Sequence, residues 1–317
     1  MKVRVVGAGV IGLSCAVRLR EAGVDAHVVA SEFGARTTSA AAAALWYPYR
    51  VGPADLVRGW GRATFHELVR LAADPATGVT MRDGVQYLRV PADPPDWAAD
   101  VPGFRVRVGG LAGPYAAVWS FTAPVADSTA YLHWLHDRLA ALGGTVRAAA
   151  VSSVAEALAG VDRAVLATGY GARSLPGDPE VRGGRGQVVR VRAPLVRRWV
   201  LDEHHPDGIV YVIPRRHDVV CGGVDEACDD EAPGDKAPDG GPNPAVAGAI
   251  LRRCREVVPE LAGAQVLGHA AGIRPIRSTV RLQRVHDVVH CYGHGGAGYT
   301  LSWGCADAVR DLVMATM

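Results

Sequence analysis

Apolar and polar positions at the start of the chain fall into a regular order. Val3 to Val6 is a short apolar run, and Gly7-Ala8-Gly9-Val10-Ile11-Gly12 follows it. Leu13 to Ala22 has helical composition, and Gly23 is a natural helix stop. Ala26 to Ala30 reads as a second strand. The pattern predicts a β-α-β unit of about 30 residues with a glycine-rich first turn. Further on, Tyr131 to Leu142 has apolar positions at helical spacing, and Thr145 to Val151 and Arg163 to Thr168 read as short strands. Gln187 to Val191, Gly208 to Pro214 and Asp218 to Gly223 look like strands of a more antiparallel region. Asp225 to Pro244, rich in Asp, Glu, Pro and Gly, reads as a solvated loop. Ala245 to Val258 is helical, Val288 to Tyr292 is a strand running into a glycine-rich turn, and Thr300 to Met314 is a closing helix. No internal repeat is visible.

Composition narrows the function classes. The 317 residues are 49% hydrophobic and 21% charged, as in an ordinary globular protein. A formal charge of +2 is too small for an electrostatic nucleic-acid binder. No apolar stretch approaches the roughly 18 residues of a membrane span. The N-terminus lacks a signal-peptide layout, so a reducing cytoplasm is expected. Cys15, Cys221, Cys228, Cys254, Cys291 and Cys305 are scattered with no C-x-x-C pair, so neither a zinc site nor a redox dithiol is expected.

Gly7, Gly9 and Gly12 carry the first chemistry. In a strand-to-helix turn, the first glycine permits the tight turn, the second lets the backbone approach a pyrophosphate, and the third allows close helix–strand packing. The helix N-terminus then offers free N–H groups and partial positive charge to phosphates. This points to a dinucleotide without separating FAD from a nicotinamide cofactor. A ribose contact is expected at the end of the second strand, where Ser31 and Glu32 both qualify. Arg36 admits a 2′-phosphate reading, although exposed arginines are common here. Thr37-Thr38-Ser39 ahead of Ala40 to Ala44 reads as a capped helix start, either a second anion site or a plain cap.

Leu45-Trp46-Tyr47-Pro48-Tyr49 and the segment Val288 to Gly298, with Tyr292-Gly293-His294-Gly295-Gly296-Ala297-Gly298 followed by Gly304 and Ala306, closely resemble the signature of the D-amino-acid oxidase family. Gly183 to Gln187, Tyr211-Val212-Ile213-Pro214 and Gly272 to Arg277 resemble further blocks of that family in the same order. Cys291 and Ser31 depart from it; better-known members carry Asp at the latter. The resemblance implies an α/β fold: a discontinuous Rossmann-like FAD-binding domain (1–50, 128–182 and 271–317) and an inserted α+β substrate-binding domain on a mixed or antiparallel sheet (51–127 and 183–270). It implies FAD held by Gly7, Ala8, Gly9, Val10, Ile11 and Gly12, by Ser31 or Glu32, and by Thr37, Thr38, Ser39, Ala44 and Leu45. Val151, Thr168, Gly169, Gly295, Gly296, Gly298, Tyr299 and Thr300 complete the implied cofactor set.

The implied reaction is oxidation of a D-amino acid to an imino acid that hydrolyses to a 2-oxo acid and ammonia. Hydride passes from the α-carbon to flavin N5, and oxygen becomes hydrogen peroxide. The cofactor carries the hard step, so no acid–base residue is needed. Arg274 matches the substrate-carboxylate arginine, Tyr211 a tyrosine on the same carboxylate, and the Gly296 carbonyl an acceptor for the amine. Arg277 and Arg281 are expected to hold structure, as is His294. Arg215-Arg216-His217 would favour an acidic substrate if turned inward, whereas such a run is usually a solvated turn. Neutral side chains are the expected substrates; D-aspartate and glycine or sarcosine oxidation are the alternatives. Asp207-Gly208-Ile209-Val210 leads almost at once into Tyr211, so the lid of eukaryotic members looks shortened. The expected partners are the small-molecule D-amino acid and oxygen, with a homodimer left open.

Overall fold

The computed structural model describes residues 1–224 and 241–315, and the backbone of 226–227. Cys228, most of the expected loop from Asp225 to Pro244, and Thr316-Met317 lie outside the described residues. In chain order the strands and helices are β1 (Lys2–Ala8), α1 (Val10–Glu21), β2 (Asp25–Phe33), α2 (Ala54–Leu71), β3 (Val79–Leu88), β4 (Arg105–Val108), β5 (Ala117–Ala126), α3 (Ser128–Ala141), β6 (Val146–Ala148) and α4 (Val154–Leu158). Then come β7 (Arg163–Leu166), β8 (Arg182–Arg192), β9 (Trp199–Asp202), β10 (Val210–Pro214), β11 (Val219–Gly222), β12 (Glu226–Ala227), α5 (Pro244–Val257), β13 (Gln265–Val285), β14 (Val288–His294) and α6 (Gly298–Met314).

All strands join one mixed sheet in the order β4-β5-β3-β9-β10-β11-β8-β13-β14-β7-β1-β2-β6, with β12 beside β8. At one end β14, β7, β1, β2 and β6 run parallel. The inner strands β7 and β14 read as near-continuous apolar or buried runs because both faces are covered. Helix α1 is buried along almost its whole length and packs with α3 and α6 on this end. Arg18 and Arg20 in its last turn complement the helix dipole. At the other end β9, β10 and β11 form an antiparallel meander, β8 lies antiparallel beside β11, and β3 joins β9 in parallel. The 21-residue β13 links the ends: Gln265 to Ile276 pair with β8, and Arg281 to Val285 pair with β14.

One local expectation fails. The alanine run after Ser39 forms no α-helix; Thr38–Ala41 is a single 3-10 turn, and the chain is extended beyond it. Ala44 adopts a left-handed φ of 57°, Leu45 bridges to Val125, and the Trp46 N–H donates to the Pro124 carbonyl. Pairing with β5 thus outweighs alanine's helix propensity.

Candidate active site

A cavity of about 980 Å³ opens beyond the ends of β1 and β7 and extends to β10 and β13. That is near the upper end for small-molecule pockets, about 300–1,000 Å³. Gly7, Ala8, Gly9, Val10 and Ile11 form its floor where β1 turns into α1. Gly7 has a φ of +117°, and a Cβ there would lie 2.3 Å from the Ala167 carbonyl oxygen. Gly12 is not part of the wall; a Cβ on it would lie 1.9 Å from the Gly7 carbonyl oxygen, so helix and strand meet at this point. Ser31 and Glu32, both exposed, line the cavity at the end of β2. Val151, Thr168 and Gly169 line it from the β6 and β7 side.

The segment from Thr37 to Leu45 forms the facing wall, with Thr37, Thr38, Ser39, Ala44 and Leu45 all on the cavity. Its position is fixed by hydrogen bonds. The Val10 N–H donates to Ser39 Oγ at 3.0 Å, and Thr38 Oγ1 donates to the Ile273 carbonyl at 3.2 Å. Gly295, Gly296, Gly298 and Tyr299 bring the start of α6 to the cavity. Tyr299 Oη donates to the Ser39 carbonyl at 2.9 Å. Thr300 stands outside the wall and clamps Tyr47: its Oγ1 donates to the Tyr47 carbonyl at 2.9 Å and accepts the Tyr47 N–H at 3.1 Å. The N-termini of α1 and α6 therefore both turn their partial positive charge toward the cavity.

Arg274, Tyr211 and Gly296 come together at the far end. Arg274 NH1 donates to the Arg185 and Val224 carbonyls, which fixes the guanidinium plane. Among the described residues it faces no carboxylate. A Cβ on Gly186 would lie 3.1 Å from its Cζ, and one on Gly296 would lie 3.8 Å from its Cδ. Tyr211 packs on Gly222 and Gly223, where a Cβ would overlap its ring. Burial raises the Tyr211 hydroxyl pKa although Arg274 beside it pulls the other way, so the phenol stays protonated and can donate. Burial lowers His294 to about 4, so its ring is neutral near pH 7.

Other charged residues divide between structure and site. Arg277, Arg281 and the Tyr292 hydroxyl all donate to Asp178 Oδ2, at 3.2, 3.1 and 3.0 Å. Burial pushes the Asp178 carboxyl up, but the Glu180 N–H, Tyr292 and the two arginines outweigh it and hold the carboxyl low. Arg215 is not a solvated residue. It is buried, makes a two-point pair with Asp218 at 2.7 Å and donates to Ser128, away from the cavity wall. Arg216 is exposed.

Some features were not visible in the sequence. Tyr47, Tyr49 and Glu203 also line the cavity. Tyr47 Oη lies 2.6 Å from Glu203 Oε1 and 2.7 Å from Gln86 Oε1, while Gln86 Nε2 donates to the same Glu203 oxygen at 3.0 Å. Tyr47 and Tyr49 stood in a recognisable block, but nothing marked Glu203. The scattered cysteines also converge: Cys291, His294 and Cys305 place ligand-type atoms within 4.8 Å of one another. Cys15 pulls the Cys291 thiol down, but Cys305 and burial outweigh it and hold it well above the usual thiol range.

The chain matches the family model described as FAD dependent oxidoreductase over residues 2–312. It is 48% identical to a D-amino-acid oxidase of Rubrobacter xylanophilus, over 99% of this chain and 96% of that protein. It is 42% identical to a D-amino-acid oxidase of Streptomyces coelicolor, over 98% and 96%. In fold it is similar to the crystal structure of glycine oxidase from Geobacillus kaustophilus, with a TM-score of 0.77 and 19% identity over 98% of this chain and 94% of that one. With the glycine turn, the Arg274 end and this full-length match together, the chain belongs to the D-amino-acid oxidase family of FAD-dependent oxidoreductases.

Proposed function

We propose that this protein oxidises D-amino acids with neutral side chains to 2-oxo acids, ammonia and hydrogen peroxide, using FAD held in the cavity described above. The observation that carries the reading is Arg274: a fixed guanidinium with no carboxylate partner among the described residues, at one end of a cavity whose other end is a glycine turn. The residues fit FAD. Gly7 and Gly9 leave backbone open to a pyrophosphate at the α1 N-terminus, and Ser31 or Glu32 is placed for a ribose hydroxyl. Thr37 to Ser39, Ala44, Leu45, Val151, Thr168 and Gly169 would enclose the rest, with Gly295 to Tyr299 at the reactive end.

Bound FAD supplies the redox chemistry, accepting hydride from the substrate and passing the electron pair to oxygen. The protein's own contribution is positioning. Arg274 grips the substrate carboxylate through two parallel hydrogen bonds, which fixes distance and plane. The protonated Tyr211 adds a donor to the same carboxylate. The Gly296 carbonyl accepts from the amine, so carboxylate and amine together orient the α-carbon. Leu201, Ile209 and Ile213 give the side chain an apolar wall. Neutral His294 is too weak a base at about 4 for proton abstraction to be its task. Arg215, locked to Asp218, gives no support to an acidic substrate.

We also place residues 1–50, 128–182 and 271–317 in a cofactor-binding part and residues 51–127 and 183–270 in a substrate-binding part. A reducing cytoplasm fits the five free, buried cysteines described. The short connection from Asp202 to Val210 leaves the entrance open, so product release is not limited by a lid; slow release after a burst of flavin reduction would contradict this. The main test is a peroxide assay of the purified yellow protein on D-alanine, D-valine, D-aspartate and glycine. Turnover of D-alanine and D-valine is expected. Flavin bleaching without peroxide, or turnover of glycine or D-aspartate alone, would overturn the reading.

A further inference from the structure

Cysteines far apart in the sequence meet in the fold. Cys291 lies on β14 and Cys305 near the middle of α6, two elements that pack together. Side chains three apart on a regular strand point to opposite faces. Gly293 interrupts that alternation between Cys291 and His294, because its φ is +86° and the strand turns there. As a result Cys291 Sγ, Cys305 Sγ and a ring nitrogen of His294 lie within 4.8 Å of one another. All three residues are buried. His294 Nε2 has no hydrogen-bond partner among the described residues, although about nine in ten buried polar groups have one. Cys291 and His294 also line the cavity, which gives an ion a route to them.

Two thiols and an imidazole form a soft donor set, which selects a thiophilic cation. Charge selects its valence. Burial penalises any net charge, and the His294 ring is neutral near pH 7. A divalent ion that displaces the two thiol protons to solvent leaves a centre with no net charge, whereas a monovalent ion leaves a buried negative one. We propose that Cys291, His294 and Cys305 form a binding site for a divalent thiophilic cation of the zinc or cadmium type, its fourth position filled by water from the cavity. A tetrahedral ion with Zn–S bonds of about 2.3 Å holds its sulfurs about 3.8 Å apart, so the donors need to close by about 1 Å at most. That is within the reach of side-chain rotation. The ion ties β14 to α6 across the short turn that joins them.

The test uses tag-free, full-length protein, with and without added FAD, kept reduced, loaded with Zn2+ or Cd2+ and then desalted. The wild type should retain one ion per chain by elemental analysis, and Cd2+ should produce the ultraviolet charge-transfer band of thiolate ligation. Cys291→Ala and Cys305→Ala should each abolish that retention, together with the rise in Tm that a bound ion brings. Cys221→Ala removes a buried thiol on β11 and should leave both as in the wild type. Flavin content reports whether each variant is folded. X-ray absorption of the zinc-loaded wild type needs no variant, and should show two sulfur neighbours and one imidazole nitrogen. A wild type that retains no ion, equal retention in the Cys291 and Cys305 variants, or a zinc shell without sulfur overturns the proposal.

Discussion

Replacing Arg274 by alanine removes a fixed cation at the Tyr211 end of the cavity. The expected loss in kcat/KM for D-alanine is about 2 kcal/mol or more, roughly thirtyfold at the least. Arg274→Lys keeps the charge without the planar fork and should recover only part of it. Stopped-flow flavin reduction checks both; wild-type reduction by the alanine variant would rule out the proposed carboxylate grip. Tyr211→Phe removes a single hydrogen bond, about 1 kcal/mol or roughly fivefold. At Gly7 the issue is space: a Cβ would meet the Ala167 carbonyl at 2.3 Å in a backbone conformation that L side chains rarely adopt. Gly7→Ala should therefore be purified with little flavin, read from its visible absorbance. At this scale much was legible. Arg274, Tyr211 and the glycines stand in short patterned blocks. Glu203 does not, because its meaning comes from strand register and from Tyr47 and Gln86, which are distant in sequence.

Among elements, β14 was readable and β13 was not. β14 is an uninterrupted buried run. β13 carries Arg274, Arg277, Arg281 and Arg284, and these charges break the apolar alternation that marks a strand. In α2 the buried positions include Gly61 and Thr64 as well as Phe65 and Leu68, so its buried face is not marked by apolar residues alone. Burial on β14 has a consequence for acid stability. It lowers His290 to about 4, helped by Arg281, and burial lowers His294 to about 4. As pH falls below about 6.5, the usual histidine value, the unfolded imidazole takes up a proton and the folded one does not. Stability is thus lost between about 6.5 and 4, and the loss is complete below the folded value. The Asp178 carboxyl, held low, contributes stability above its unfolded value that is lost only as pH falls further. His290→Gln should flatten the decline of the urea midpoint between pH 6.5 and 5. An unchanged slope would remove His290 as its source.

For the whole molecule, fold class was legible because the β-α-β unit at the start, the helix and short strands in the middle and the strand, glycine turn and helix at the end bracket more antiparallel material. The assembly into one continuous sheet was not, since strand order depends on contacts far apart in sequence. The cavity joins these distant parts, so a ligand that fills it should stabilise all of them. FAD at a hundred times its Kd adds about 2.7 kcal/mol, several degrees in Tm for a chain of this size. Differential scanning fluorimetry of the flavin-stripped protein should show that shift with FAD and none with NAD. An equal response to both would point to a generic dinucleotide fold.

The long strand β13 also bears on how such proteins can be recombined. Its first half carries Arg274 and is bonded to β8, while its second half is bonded to β14. A chimera that borrows a relative's substrate-binding part with a crossover inside this strand would have to match two sets of backbone partners at once, and a one-residue slip would send every side chain to the opposite face. Functional exchanges should therefore carry β8 and β13 together as an inherited pair. Substrate range in this fold is then more readily altered by point changes on β9 and β10 than by shuffling whole segments.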